Sequence, residues 1–187
     1  MGQTAAPAVD APPVSVTRSV TCVARTPYRL RSWSELAAAE TAHLDASPQQ
    51  ALALMVHPPS PETLEAPWDW RFHLQVAAAL VAAHLVERSG RDPVPILSEI
   101  VDGPIDWTAS AALIALLDVA NRRPEQRRDI AALFFGVLQR PSNPAWLMSC
   151  GHIAAVACRR VPDLPDGVYA RLDQIIDKLT SPAQLTP

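Results

Sequence analysis

Apolar residues recur along this chain at helical spacing, in segments that are separated by proline and glycine. From Ser32 onward these segments are long enough for helices, and they differ in how much of their circumference is apolar. Residues 76–86 and 109–117 are apolar almost all round, which indicates burial on several sides. Residues 130–138 instead carry one apolar stripe, typical of a half-exposed helix. The predicted helices cover residues 36–44, 49–56, 70–88, 93–101, 107–120, 125–139, 145–159 and 168–179.

Residues that start or stop helices support these boundaries. Ser32 and Glu35 have the spacing of a capping box, in which the serine precedes the first helical turn. The other predicted starts are at Pro48, Asp69, Asp106, Pro124 and Asn143, and the predicted stops include Gly90 and Gly103. The two aspartates are therefore interpreted as N-caps rather than as catalytic bases.

Tryptophan recurs at a fixed interval at the predicted helix starts. Trp33, Trp70 and Trp107 are each 37 residues apart, and Trp146 follows 39 residues later. The residues that follow Trp33 do not match those that follow the other three tryptophans, so either the first unit is an atypical terminal cap or Trp33 has this spacing by coincidence. After the last three tryptophans, positions seven, eight and ten are apolar in every copy: Ala77, Ile114 and Ile153; Ala78, Ala115 and Ala154; Leu80, Leu117 and Val156. Such a period indicates stacked supersecondary units.

Buried helices that alternate with half-exposed ones indicate a layered stack of helical hairpins. In this respect the chain resembles the HEAT-like repeats, which pair helices over about 40 residues, with proline in the first helix and an acid or amide before the second. The resemblance covers residues 32–179 and implies an all-α, right-handed stack of about four hairpins. Other α-α repeats and a compact helical bundle also fit the pattern.

The N-terminal segment differs from the rest of the chain. Residues 1–13 are rich in alanine and proline, which predicts disorder, and residues 14–31 carry four arginines without an acid. Valines alternating with threonine there hint at a short strand. We expect a flexible basic tail over residues 1–31, a helical-repeat domain over residues 32–180 and a C-terminal tail over residues 181–187.

Composition argues against several classes of function. Hydrophobic residues make up 49% and aromatic residues only 5%, so the interior must be built from aliphatic side chains. The net charge of −3 makes a general nucleic-acid-binding protein unfavoured. No apolar run is long enough to span a bilayer and no secretory leader is visible, so a cytoplasmic protein is expected. Lys178 is the only lysine beside fifteen arginines, a bias typical of GC-rich bacterial genomes.

Charge is unevenly distributed along the chain. Residues 92–121 contain five acids and no base, whereas residues 122–160 contain seven arginines and two acids. Two Arg-Arg pairs lie 37 residues apart, each at the end of a tryptophan-led helix, where arginine offsets the helix dipole without any ligand. The alternative is an arginine ridge that binds an acidic segment of a partner. The residues expected to make such contacts are Arg122, Arg123, Arg127, Arg159, Arg160 and Trp68.

Metal or nucleophilic chemistry has little support in the sequence. The three cysteines, at no metal-ligand spacing, indicate free thiols in a reducing compartment. His73 and His84 share a helical face with Glu87 one turn beyond, but they lack the spacing of a metal-ligand pair, so buried or interfacial histidine is favoured. Gly136 and Gly151 fall inside predicted helices, where close approach of a neighbouring helix is the simplest explanation. No cofactor is expected.

These features favour a non-catalytic protein–protein interaction module, such as an adaptor, a scaffold or an assembly subunit. Its partner is expected to be a protein, with an acidic segment favoured, and its terminal helices can dock on a larger assembly. Two other classes stay open: a nucleic-acid-binding HEAT-like protein, and a small enzyme or metal and ligand binder centred on His73, His84 and Glu87. An immunity protein that neutralises a toxin is a further member of the interaction class.

Overall fold

The computed structural model describes residues 12–59, 67–103, 107–138 and 152–180, with the backbone alone for residues 67–69, 152 and 178–180. Throughout these ranges the regular secondary structure is helical, so the predicted all-α class is confirmed. The α-helices of the described ranges are α1 (Val14–Arg25), α2 (Leu30–Thr41), α3 (Pro48–Val56), α4 (Pro67–Arg88), α5 (Val94–Asp102), α6 (Trp107–Arg122), α7 (Arg127–Leu138), α8 (His152–Arg159) and α9 (Asp166–Thr180), with a 3-10 turn (Pro124–Gln126) before α7.

Several helix boundaries follow the residues that predicted them. Pro48 is the first residue of α3, where its fixed φ suits a helix start. The turn after α4 contains Gly90, whose φ of 75° is a conformation that favours glycine. The Gly90 N–H donates to Glu87 O and the Arg91 N–H donates to Val86 O, which is the bond pattern of a Schellman motif.

Helix α2 begins earlier than its expected capping box. Its first residue is Leu30, and the N-cap residue, Arg29, makes no side-chain cap bond. Ser32 lies inside the first turn, so the capping box predicted for Ser32 and Glu35 is wrong. The Glu35 carboxylate instead pairs with Arg31 Nε at 2.9 Å on the exposed surface. Packing against other helices, rather than local capping, sets this helix start.

The N-terminal segment forms a helix where a strand and a flexible tail were expected. Helix α1 buries Val16, Val20 and Val23 completely, and it contacts α2, α3 and α4. Their spacing of three and four residues forms one apolar stripe, and its burial overrides the preference of valine for strands. The strand interpretation is therefore wrong, and residue 31 does not separate the core from a tail. The tails predicted for residues 1–11 and 181–187 fall outside the described residues.

Helices α4 and α6 form the centre of the molecule. Helix α4 contacts α1, α2, α3 and α6, and α6 also contacts α5, α7 and α8. Every residue from 76 to 86 in α4 is buried, as its apolar circumference predicted. We call the positions counted from each recurrent tryptophan the tryptophan register. The eighth position of this register is fully buried in all three copies: Ala78, Ala115 and Ala154.

Contacts between helices run both within sequence-adjacent pairs and between successive pairs. Within pairs, α3 contacts α4, α5 contacts α6, and α7 contacts α8. Between pairs, α4 contacts α6, α6 contacts α8, and α5 contacts α7. Helix α9 packs on α8.

The recurrent tryptophans occupy different environments. Trp33 is fully buried, whereas Trp70 is partly buried against the core. Trp107 is 53% exposed and makes an edge-to-face contact with Phe72, with 5.4 Å between ring centroids. Trp107 is therefore not a core residue, because it is the first residue of α6 and this helix end reaches solvent. Trp146 lies outside the described residues.

Candidate functional site

A group of buried charges joins the C-terminal ends of α4 and α6. Arg122 Nη1 lies 2.6 Å from Glu87 Oε2, and Arg123 Nε lies 3.0 Å from Glu87 Oε1. Arg122 Nε also lies 2.8 Å from Asp118 Oδ2. The Asp118 side chain is 3% exposed and that of Glu87 13% exposed, so both carboxylates depend on these arginines for compensation. Together with His84, these four residues form the ion network.

His84 connects the ion network to α2. Its Nε2 lies 3.3 Å from Ser34 Oγ, and its Nδ1 lies 3.5 Å from Glu87 Oε2. Burial, and then Arg122, lower the pKa of His84 from its ordinary 6.5, while Asp118, Glu87 and Ser34 act in the opposite direction. The imidazole is therefore neutral at pH 7. A tautomer protonated at Nδ1 satisfies both contacts, because Nδ1–H then points to the carboxylate and Nε2 accepts the serine proton.

A polar cleft of about 370 Å³ lies between α2 and α6, next to the ion network. Its walls include Ser34 and Asn121 together with two basic and two acidic side chains, so its formal charges cancel. The charged residues lining it are Arg31, Glu35, Asp118 and Arg122. This balance favours an uncharged ligand over an anion or a cation.

An aromatic cluster holds the segment between α1 and α2 against α4. Tyr28 meets Trp33 edge to face at 5.0 Å and stacks on His73 at 6.1 Å, and Trp33 meets His73 at 5.5 Å between ring centroids. The Trp33 indole N–H donates to Thr26 O at 3.0 Å. Tyr28 is thereby held in place although 45% of it is exposed.

The exposed edge of this cluster borders an apolar groove of about 210 Å³ between α6 and α8. We call it the Tyr28 groove. Burial raises the pKa of Tyr28, with Arg160 acting in the opposite direction, so the phenol keeps its proton at neutral pH and can donate a hydrogen bond. The groove is lined by Tyr28, Ile114, Leu117, Ile153, Val156, Ala157 and Arg160. An apolar floor with a hydroxyl and a guanidinium at its edge suits an aliphatic side chain beside a carboxylate.

The arginines predicted to form a ridge do not have equal access to a partner. Arg122 and Arg123 belong to the ion network, and each has a side chain only 28% exposed. Arg127 donates to Asp163 and, at 3.0 Å, to Ala120 O. These three are therefore bound within the chain rather than forming a free ridge. Arg122 and Arg123 lie at the end of α6, where arginine was expected to offset the helix dipole, whereas Arg127 is the first residue of α7.

The remaining arginines lie at the end of α8. Arg159 Nε donates to Asp173 at 2.7 Å, and its guanidinium lies 4.8 Å from the ring centroid of Tyr169. Arg160 is exposed and lines the Tyr28 groove. The side chain of Trp68 lies outside the described residues.

The three residues of the predicted metal or ligand site separate into two clusters. His84 and Glu87 meet in the ion network, whereas His73 belongs to the aromatic cluster, about 16 Å away along α4. No group of three His, Cys, Asp or Glu side chains within the described ranges has an arrangement that could hold a metal ion.

Ser34 and Tyr28 are site residues that the sequence pattern did not indicate. Ser34 is 50 residues from His84 in the chain, so no local spacing predicts their contact. Tyr28 lies in a segment interpreted as a basic tail, and a lone tyrosine among arginines carries little signal. Both positions depend on how α1 and α2 pack on α4.

Comparison of the whole chain with models of protein families, with curated protein sequences and with solved structures finds no match. Among the described helices, none combines the length and the apolar character needed to cross a lipid bilayer.

Proposed function

We propose that this protein is a non-catalytic interaction module, an adaptor, scaffold or assembly subunit, which binds a partner protein in the Tyr28 groove. The partner segment presents an aliphatic side chain to the apolar floor and a carboxylate to Arg160. Such a contact combines a desolvated apolar centre with a charged rim, as protein–protein interfaces do.

The observation that carries this proposal is that equivalent positions of the tryptophan register line one groove. Ile114 and Ile153 both lie seven residues after a tryptophan, and Leu117 and Val156 both lie ten residues after one. Successive units of a repeat protein present equivalent residues along a common surface, which is how such proteins build extended binding sites.

We further propose that the helix pairs form a right-handed HEAT-like stack. Support comes from the two sets of contacts: α4 with α6 and α6 with α8 in one layer, and α5 with α7 in the other. In a stack of hairpins each helix contacts both its own pair and the corresponding helix of the next pair. Helices α1 and α2 then cover the first pair through their contacts with α4, as a terminal cap would.

Arg160 is the arginine that best fits the partner-binding role, with Arg159 beside it. Arg160 is exposed and borders the groove, whereas Arg122, Arg123 and Arg127 already bind carboxylates of the same chain. Charge reversal at Arg160 should therefore reduce binding to an acidic segment and its dependence on salt.

Photocrosslinking from the groove tests the proposal in extracts of the native cell. The photoreactive residue p-benzoylphenylalanine, which carries a benzoyl group in place of the tyrosine hydroxyl, replaces Tyr28, and in a control protein it replaces Val14, which is 85% exposed on α1. We expect one discrete protein adduct from position 28 and none from position 14. The adduct should disappear when Arg160→Glu is added, but not when the exposed Arg128 of α7 is changed to glutamate.

Two outcomes would contradict the proposal. One is the absence of any position-specific adduct at position 28 across extracts from several growth conditions. The other is an adduct that survives Arg160→Glu unchanged, since the carboxylate contact would then have no role.

A small-molecule or hydrolytic site is the second candidate, and one observation favours it. Ser34, His84 and Glu87 form a chain of contacts of 3.3 and 3.5 Å beside the polar cleft, the order of groups that activates a serine nucleophile. It ranks second because Arg122 and Arg123 already compensate Glu87, which weakens that carboxylate as a partner for an imidazolium ion.

A fluorophosphonate probe, which reacts with activated serines, tests this second candidate by intact mass. A single adduct that is lost in Ser34→Ala would support it. No adduct at neutral pH, under conditions in which a control serine hydrolase is fully labelled, would dismiss it.

A further inference from the structure

A second groove, on the side of the molecule formed by α5 and α7, has a different chemistry. It is an open depression with a volume of about 650 Å³. Val94 of α5 and Ala132, Leu133 and Gly136 of α7 supply an apolar lining. None of these residues belongs to the Tyr28 groove or to the ion network, so this groove is independent of the proposed function. We call it the α5–α7 groove.

Gly136 has no side chain, so the wall of the groove is low at this position. Glycine is, after proline, the least favourable residue inside a helix, and close approach of a neighbouring helix was the expected reason for its presence. That expectation is not met among the described residues, because a Cβ atom placed on Gly136 would meet none of their atoms within 4 Å. The space next to Gly136 opens instead into the α5–α7 groove, where the backbone of a bound chain can approach closely.

Carboxylates lie around the apolar lining. Asp92 precedes α5, Asp102 is its last residue, and Asp129 is in the first turn of α7. Residues 92–121 contain no basic residue, so every charged residue on the α5 side of the groove is acidic. Asp92 Oδ1 accepts the Val94 N–H at 3.0 Å and lies 4.0 Å from Arg123 Nη1.

The spacing of the acids restricts the shape of a ligand. Asp92 and Asp102 are ten residues apart at the two ends of α5, a separation of about 15 Å. In an extended chain, residues i, i+2 and i+4 face the same side and span about 13 Å. Side chains of arginine or lysine at i and i+4 therefore reach the two acids while residue i+2 lies over the apolar lining.

We propose that the α5–α7 groove binds an extended segment of a partner protein with the pattern basic, any, aliphatic, any, basic. Charge complementarity selects the basic positions, the lining from Val94 and Leu133 selects the aliphatic one, and Gly136 admits the backbone of the segment. The module then has two binding surfaces of opposite charge preference, one for an acidic and one for a basic segment.

Fluorescence anisotropy with the labelled nonapeptide Gly-Ser-Arg-Ala-Leu-Ala-Arg-Ser-Gly tests this proposal on the full-length protein. Asp92→Asn retains an oxygen for the Val94 N–H but loses the charge, and we expect it to weaken binding about threefold. Gly136→Ala should also weaken binding, although it raises the melting temperature by favouring the helix. A variant that is more stable than the wild type but binds the peptide more weakly cannot have lost affinity through a folding defect.

Matched controls come from α9, away from the groove lining. Gly167→Ala also adds a Cβ where no atom of the described part of the chain lies within 4 Å, and Asp166→Asn removes an acid from a first helical turn. Both controls should leave peptide affinity unchanged. The proposal is overturned if the groove variants and the controls bind alike, if the wild-type protein fails to bind the peptide, or if a peptide with glutamate in place of arginine binds equally well.

Discussion

Arg122 Nη1 lies 2.6 Å from Glu87 Oε2, and this ion pair joins the C-terminal ends of α4 and α6. Burial acts to lower the pKa of Arg122, but Asp118 and Glu87 outweigh it and raise this pKa above its ordinary value. The arginine therefore stays charged and bound to its partners. A residue expected to bind a partner protein instead connects two central helices of the same chain.

Removing the charge of Glu87 should destabilise the protein strongly. Glu87→Gln leaves two guanidinium groups without their shared carboxylate in a mostly buried position, and we expect a loss of about 2 kcal/mol in the free energy of unfolding. Urea denaturation of the wild type, of Glu87→Gln, of Arg122→Gln and of the double variant measures the loss and the coupling between the two residues.

An exposed ion pair provides the comparison for this measurement. Arg31 Nε lies 2.9 Å from Glu35 Oε1, a distance similar to those in the ion network, but the two side chains are 91% and 64% exposed. Arg31→Gln should change the free energy of unfolding by less than about 0.5 kcal/mol. Equal losses for Glu87→Gln and Arg31→Gln would show that burial of the network contributes nothing.

Two of the recurrent tryptophans should differ in their contribution to stability. Trp33 is fully buried in the aromatic cluster, so Trp33→Ala should cost about 3–5 kcal/mol. Trp107 is 53% exposed and contacts Phe72 at a ring edge, so Trp107→Ala should cost about 1 kcal/mol. Chemical denaturation followed by circular dichroism measures both, and Trp33→Phe serves if the alanine variant does not fold.

The helices could be predicted because their signals are local. Each signal depends on residues within one or two helical turns. The structure agrees with three of them: the helix start at Pro48, the helix stop at Gly90 and the burial of residues 76–86. Helix α1 was missed because valine and threonine favour strands locally, although Val16, Val20 and Val23 have helical spacing and are buried where α1 packs on its neighbours. Local preference and tertiary packing conflict there, and packing prevails.

The candidate site was predictable only where chain spacing and spatial proximity coincide. His84 and Glu87 are three residues apart on α4, so their contact follows from helical geometry. The register that begins at Trp107 marked Ile114 and Leu117, which line the Tyr28 groove. By contrast, the ion pairs of Arg122 and Arg123 with Glu87 join separate helices, so charge clustering in the sequence suggested a free ridge instead.

Acid should destabilise the protein through His84. Because the pKa of His84 is lowered in the folded state, the unfolded chain takes up a proton first as the pH falls below about 6.5. Stability is therefore fully present above that pH and decreases below it, by at most about 1.4 kcal/mol per pH unit for one proton, until the folded protein is protonated as well.

Urea denaturation between pH 7.5 and 5 measures this effect. The variant His84→Gln should show a weaker pH dependence in that window than the wild type, whereas His43→Gln, at an exposed histidine, should leave the wild-type dependence intact. If His84→Gln kept the wild-type dependence of the free energy of unfolding on pH, the proton uptake would belong to another group.

The two described cysteines should differ sharply in reactivity. Burial raises the pKa of Cys158 to about 12, so at pH 8 only about one molecule in ten thousand carries a thiolate there. Cys22 is exposed, and its pKa is raised by partial burial and by Glu40, with Arg18 acting in the opposite direction. We expect iodoacetamide to modify Cys22 in the native protein and to modify Cys158 only after unfolding.

Peptide mapping by mass spectrometry quantifies each cysteine separately in native and in urea-denatured protein. The denatured sample is the control, since both thiols should react there at comparable rates. Native labelling of Cys158 as fast as that of Cys22 would mean that α8 opens readily, because a closed core gives iodoacetamide no access to a fully buried sulfur. Protection of Cys158 alone would instead establish that α8 is packed against α6 and α7 in solution.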